Sequence, residues 1–144
     1  MEFRILNYRM HKSTKIKIYF YSILSLSIIW LFIFPKPIKN FAPIVFVIPT
    51  FPVFALNSYN GVYKFSSALK EIHLDLFRKY VIDYGNIYDR GKIVDIGFIT
   101  KNEDFENLQD ANLYEMYKLC KQFMRLAIYS FVIFGLLGIA TVYL

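Results

Sequence analysis

Three stretches of this chain carry no charged residue, and their order sets the first expectation of its architecture. Residues 18–34 (IYFYSILSLSIIWLFIF) lie near the amino end, residues 41–56 (FAPIVFVIPTFPVFAL) follow a short link, and residues 126–144 (LAIYSFVIFGLLGIATVYL) close the sequence. The last run is about 28 Å long as a helix at ~1.5 Å per residue, close to the ~30 Å hydrocarbon core of a bilayer. The first run predicts a span that ends at Pro35, because proline disfavours helix in the residue before it. Trp30 near one end and Tyr19 and Tyr21 near the other suit the interfacial positions that amphipathic rings prefer. The second run is shorter, about 24 Å as helix. Pro43 fits a first turn, but Pro49 and Pro52 fall inside and remove backbone donors. Its pattern favours a proline-kinked span and leaves a re-entrant or interfacial hairpin as the alternative.

Between the second and third runs the pattern changes. Asn57-Ser58-Tyr59-Asn60-Gly61 reads as a turn. Residues 62–81 then place Tyr63, Phe65, Leu69, Ile72, Leu76 and Tyr80 on one helical face, with Lys64, Lys70, Glu71, Arg78 and Lys79 on the other. Leu69, Ile72 and Leu76 are therefore interaction candidates, against a protein partner, the membrane surface or the helix that opens at Asp110. Tyr84-Gly85-Asn86 and Asp89-Arg90-Gly91 mark a loop. Residues 92–100 (KIVDIGFIT) predict a short helix, since a lone strand would have no partner and a two-stranded pair is marginal. Residues 101–109 are acidic and polar, with Phe105 and Leu108 as anchors. Asp110 predicts an N-cap, and the apolar stripe from Leu113 through Phe123 runs unbroken into the third run. That makes one helix of about 34 residues, ~50 Å long, with Arg125 placed to snorkel to the headgroups. Gly135 and Gly138 are three apart, off the four-residue spacing of a close-packed dimer motif, and predict close packing inside the protein.

Composition fits this picture. The 144 residues are 56% hydrophobic and 19% aromatic, and the three runs hold much of that, so a bilayer rather than a globular core absorbs it. The net charge of +6 is unevenly spread. Arg4, Arg9, Lys12, Lys15 and Lys17 face only Glu2 at the amino end, Lys36 and Lys39 sit in the first link, and residues 57–125 balance. A surplus flanking the first span is what the positive-inside bias places in the cytoplasm. Nucleic-acid binding would need a basic patch on a folded face, so no nucleic-acid partner is expected. No small-x-small pattern follows residue 34, and an uncleaved signal anchor fits better than a removed leader.

Candidate chemistry is sparse. The single cysteine, Cys120, excludes an internal disulfide and reads as a packing residue. His11 and His73 are the only histidines, and no spacing offers three converging metal ligands. Ser66 and Ser67 lie almost two turns from His73, too far for a nucleophile and its base. Glu103, Asp104, Glu106 and Asp110 cluster in a polar stretch of the kind that is usually just solvated. Gly85, Gly91 and Gly97 lack the spacing and following lysine of a phosphate loop. The three apolar runs hold no ionisable residue, against a pump or coupled transporter. No catalytic, cofactor-binding or metal-binding residue is expected.

From Ser66 onward the order of features resembles the universal stress protein B type of small bacterial inner-membrane protein. The resemblance rests on Leu69 with Leu76-Phe77, the turn near Asp83-Tyr84-Gly85, the apolar residues 93–99, the aromatic Phe105, and Asp110 leading through Leu113 and Phe123 into a terminal span. It covers residues 66–144, and the basic, apolar amino end is a departure from a family with one span before its cytoplasmic region. It implies a membrane location and a stress connection, without catalytic residues.

The expected fold is thus all-α, with three transmembrane helices and a small cytoplasmic helical region between the second and third. Residues 1–57 hold the basic amino end and two membrane segments, 58–122 the polar region, and 123–144 the last span. The amino end lies inside and Leu144 at the outer face. The expected function is a non-enzymatic regulatory or stress-related interaction with a cytoplasmic or membrane protein partner. The alternative is a membrane immunity or exclusion protein acting through Pro49, Pro52, Gly135 and Gly138, and a membrane enzyme is the least favoured reading.

Overall fold

The computed structural model describes residues 2–82, 92–97 and 102–144, with side chains from Ser13 onward. The expected loop at residues 84–91 and the segment 98–101 lie outside the described residues. The chain is mostly helical, and three of its helices are long and apolar enough to cross a membrane. It divides into two compact units, residues 1–53 with 126–144, and residues 54–125.

In the first unit, α1 runs Glu2–Ile33, so the basic amino end continues the first apolar run as helix. It stops just before Phe34 and Pro35, as the proline requires. Trp30 closes the link that follows, donating from Nε1 to the Ile38 carbonyl at 3.1 Å and packing on Phe34 with ring centroids 4.5 Å apart. A 3-10 turn at Ile38–Phe41 leads into α2, Ala42–Ile72. Pro43 occupies the first turn of α2, where a missing N–H is harmless.

Small and aromatic residues contribute to the helix–helix contacts of this unit beside leucines such as Leu31 and Leu137. Phe20 is buried edge-on against Phe46, with centroids 5.7 Å apart, and Phe51 meets Phe131 at 6.1 Å. Ser27, Thr50 and Ser130 are fully buried. Each hydroxyl donates back to its own helix, to the carbonyls of Ile23, Phe46 and Leu126 at 2.9, 2.6 and 2.8 Å. Small side chains that satisfy their own protons let backbones approach closely in a medium without water. The outward surface carries large apolar groups instead, among them Phe32 at 71% exposure and Ile48 at 65%.

Pro49 and Pro52 lie within α2, which continues without a break through residues 57–61. This corrects one expectation, the turn at Asn57–Gly61. It also removes the hairpin alternative for residues 41–56, since a hairpin needs a reversal that a continuous helix lacks. The length problem disappears with it. The first charge after Lys39 is Lys64, so residues 42–63 give about 33 Å of uncharged helix.

The second unit closes its own core. Phe65, Leu69 and Phe105 have no exposed surface, and Val94, Leu113 and Tyr117 have almost none. Phe105 is the hub, with ring centroids 5.4 Å from Phe65, 4.9 Å from Tyr80 and 5.6 Å from Tyr117. Burying each large apolar side chain here contributes about 1.5–3 kcal/mol. After α2 the backbone breaks at His73 (φ −132°, ψ 71°), and α3 follows at Leu74–Tyr80. The single amphipathic helix expected over residues 62–81 is therefore two pieces. The break turns Phe77 into the core that Leu69 occupies.

A further correction concerns residues 92–100. Ile93–Val94 form β2, antiparallel to β1 at Val81–Ile82, with Val81 opposite Val94. The Asp95 N–H extends the pairing to the Tyr80 carbonyl at 2.8 Å. The partner strand lies at the very end of the amphipathic segment, where it was read as helix. Ser66 fixes this hairpin to α2, because its Oγ accepts the Val94 N–H at 3.0 Å and donates to the Val62 carbonyl at 2.7 Å. A short helix, α4 (Glu103–Glu106), precedes α5, Ala111–Tyr143. Asp110 caps α5 as expected, with Oδ1 accepting from the N–H groups of Asn112 and Leu113 at 2.8 and 3.0 Å.

Candidate functional site

The expected interaction face on α2 and α3 does not emerge as a single surface. Leu69 is fully buried in the core, Leu76 packs against it, and only Ile72 stands out, 53% exposed. Its neighbour across the break, Leu74, is 43% exposed. An apolar pair beside His73 thus replaces the longer stripe, flanked in sequence by Lys70, Glu71 and Asp75. Helical spacing identified the apolar positions, but the break at His73 decides which of them remain outside.

Pro49 and Pro52 are drawn into a helix–helix contact. Tyr19 on α1 donates its hydroxyl to the Pro49 carbonyl at 2.7 Å. The carbonyls that Pro49 and Pro52 leave without their usual helical donors are those of Val45 and Ile48; the Tyr19 bond falls on the Pro49 carbonyl and satisfies neither. Gly135 and Gly138 behave differently from expectation. A Cβ built on either would meet nothing within 4 Å, so neither is needed for packing inside the chain.

Packing does require a glycine at Gly61. A Cβ there would lie 2.9 Å from the Cys120 Sγ and 3.8 Å from its Cα. Cys120 is itself buried, 2% exposed, as a packing residue should be. Close approach of α2 and α5 is the physical reason for a glycine at this position, which its turn-like neighbours concealed.

Several of the polar groups that catalysis would draw on are held in structural contacts. Ser66 ties β2 to α2, and Ser67 donates to the Tyr63 carbonyl at 3.1 Å. The Asp104 carboxylate accepts from Lys79 Nζ and Tyr80 Oη at 2.6 Å each, joining α3 to α4. The Lys79 bond, with the Tyr80 hydroxyl second, holds the Asp104 carboxyl below its usual range. The bond to Asp104, with the Tyr80 hydroxyl second, raises Lys79 above its ordinary value. Glu106 faces Lys121 at 3.5 Å, and Lys121, with 11% of its side chain exposed, donates to Tyr117 Oη at 2.8 Å. Its ammonium also lies 5.1 Å from the Tyr117 ring centroid, so burial is compensated by a hydroxyl, a π-face and a nearby carboxylate. The Tyr117–Lys121 spacing of four was legible in the sequence, whereas the carboxylate partners, Glu106 for Lys121 and Asp104 for Lys79, both come from α4 and were not.

Known protein families, characterised proteins and solved structures give no match to this chain.

Proposed function

We propose that the chain is an integral membrane protein with three spans, its amino end in the cytoplasm. Its cytoplasmic unit, residues 54–125, would make a regulatory or stress-related protein contact without catalysis. The observation that carries this reading is the contrast between the two units. Residues 54–125 bury a closed aromatic core, whereas α1, α2 and α5 present Phe32, Ile48, Phe131 and Val142 outward. A surface of that kind suits lipid and is a liability in water. The carboxylates and hydroxyls held in structural contacts support a binding role over an enzymatic one. The stress connection rests on the layout shared with the universal stress protein B type.

Ile72 and Leu74 are the contact we assign to the partner. In cells that lack the protein, a chain with Ile72→Ser and Leu74→Ser should insert normally and fail to restore the lost phenotype. The second reading, immunity or exclusion through the spans, is favoured by one observation, the open space at Gly135 and Gly138. If Gly135→Leu with Gly138→Leu fails to restore function while the Ile72 and Leu74 variant succeeds, the regulatory reading is wrong and the second stands.

A further inference from the structure

One face of α1 forms a shallow, open groove. Lys17 and Thr14 stand at its polar end, and Ile18, Ser22, Ser25 and Ile29 continue down its length. Both cation and hydroxyl faces are open, for Lys17, Ser22 and Ser25 are exposed. Among the described residues Lys17 makes no ion pair, and the Ser22 and Ser25 hydroxyls make no hydrogen bond. That sets them apart from Ser27, Thr50 and Ser130, which are buried and donate to their own helices. Hydroxyls left unpaired on an apolar face are costly in hydrocarbon, and a ligand that supplies oxygen acceptors relieves them.

The groove also has a length and a charge gradient. Residues 18–29 extend about 17 Å at ~1.5 Å per residue, close to one leaflet of a ~30 Å core. Its polar end adjoins the amino-terminal extension of α1, where Arg4, Arg9, Lys12 and Lys15 join Lys17 against Glu2 alone. A cation at the mouth, hydroxyls below it and an apolar floor are complementary to one class of molecule. We propose that this groove holds an anionic phospholipid, with its phosphate at Lys17, its ester oxygens near Ser22 and an acyl chain along residues 25–29. The inference goes beyond the regulatory reading and rests only on α1 being embedded in a bilayer. Lipid occupancy would tie the helix to anionic membrane, which basic juxtamembrane clusters favour by about fivefold in binding for each cation.

The test is native mass spectrometry of the full chain released from micelles that contain phosphatidylglycerol and phosphatidylcholine in equal amounts. The wild type should retain phosphatidylglycerol in preference. Lys17→Gln should lower that retention about fivefold, while Lys118→Gln, at an exposed lysine on α5, leaves it unchanged. Ser25→Leu fills the groove without altering charge and should lower retention of both lipids. Equal retention of the two lipids by the wild type overturns the proposal, as does an equal loss in the Lys17 and Lys118 variants, which would mean diffuse attraction. A wild-type dimer that Ser25→Leu dissociates would show that a second copy of the chain fills the groove instead. A chain that stays dispersed without detergent is a separate result and removes the membrane reading itself.

Discussion

Gly61→Ala should change the sign of its effect according to what stands at residue 120. In the wild type a new Cβ would sit 2.9 Å from the Cys120 Sγ, closer than real Cβ contacts come, so the thiol or a helix must shift. Overpacking of this kind costs about 1–3 kcal/mol. Against it stands a gain of about 1 kcal/mol, because alanine is the better residue in a helix interior. The net effect is about 0–2 kcal/mol of destabilisation. With Cys120→Ala the obstructing sulfur is gone, and the Cα and Cβ of residue 120, at 3.8 and 3.9 Å, make ordinary contact. Gly61→Ala should then stabilise by about 1 kcal/mol. The four proteins of this cycle, unfolded in mixed micelles and followed by circular dichroism, should show a coupling of about 1–3 kcal/mol between the two sites. Effects that add to within about 0.5 kcal/mol would refute the close approach of α2 and α5. An equal loss in both backgrounds would place residue 61 in a turn.

Three shorter expectations follow from the second unit. Leu69→Ala should cost about 2–5 kcal/mol in the same unfolding assay, because Leu69 has no exposed surface, while Ile72→Ala should cost well under half of that; comparable losses would mean that the break at His73 is misplaced. Asp104→Asn should flatten the acid limb of stability. The Lys79 bond, with the Tyr80 hydroxyl second, holds the Asp104 carboxyl below the usual carboxylate range, so its contribution is complete above the unfolded value and disappears as pH falls through the lower folded value. The wild type should therefore lose stability on acidification that Asp104→Asn does not, and parallel curves would show that the Lys79 and Tyr80 bonds are not made. Cys120 should resist maleimide in folded micelles and react once the chain is unfolded; rapid labelling of the folded protein would contradict its burial.

Much of this architecture could be read from local signals that nothing overrides. Pro35 ends α1 because its effect on the preceding residue is a property of the backbone, and Asp110 caps α5 through bonds to residues two and three further along. The readings that failed depended on distant partners. Asn57-Ser58-Tyr59-Asn60-Gly61 has turn composition, yet its glycine answers to Cys120, far along the chain on α5. Ile93 and Val94 are β-formers whose helix reading stood only while no partner strand was known, and that partner hides at the end of a helical pattern. Of the partners open to the apolar face, the helix that opens at Asp110 is the one Leu69 and Leu76 meet, in a core with Leu113 and Tyr117. Periodicity finds apolar positions, but Leu69 and Ile72 separate into core and surface only once His73 breaks the helix. The resemblance of layout carries no residue-level roles, so the contact proposed at Ile72 and Leu74 comes from exposure alone.

The central claim is that residues 54–125 lie between two spans on the cytoplasmic side. Single cysteines at Lys36 and at Gln109, both exposed positions, placed in a Cys120→Ser background, test it directly in intact cells. An impermeant maleimide should label Lys36→Cys from outside and reach Gln109→Cys only after the cells are opened. Labelling of Gln109→Cys in intact cells, with Lys36→Cys shielded, would contradict the account by inverting the chain; labelling of both from outside would mean that α2 does not cross.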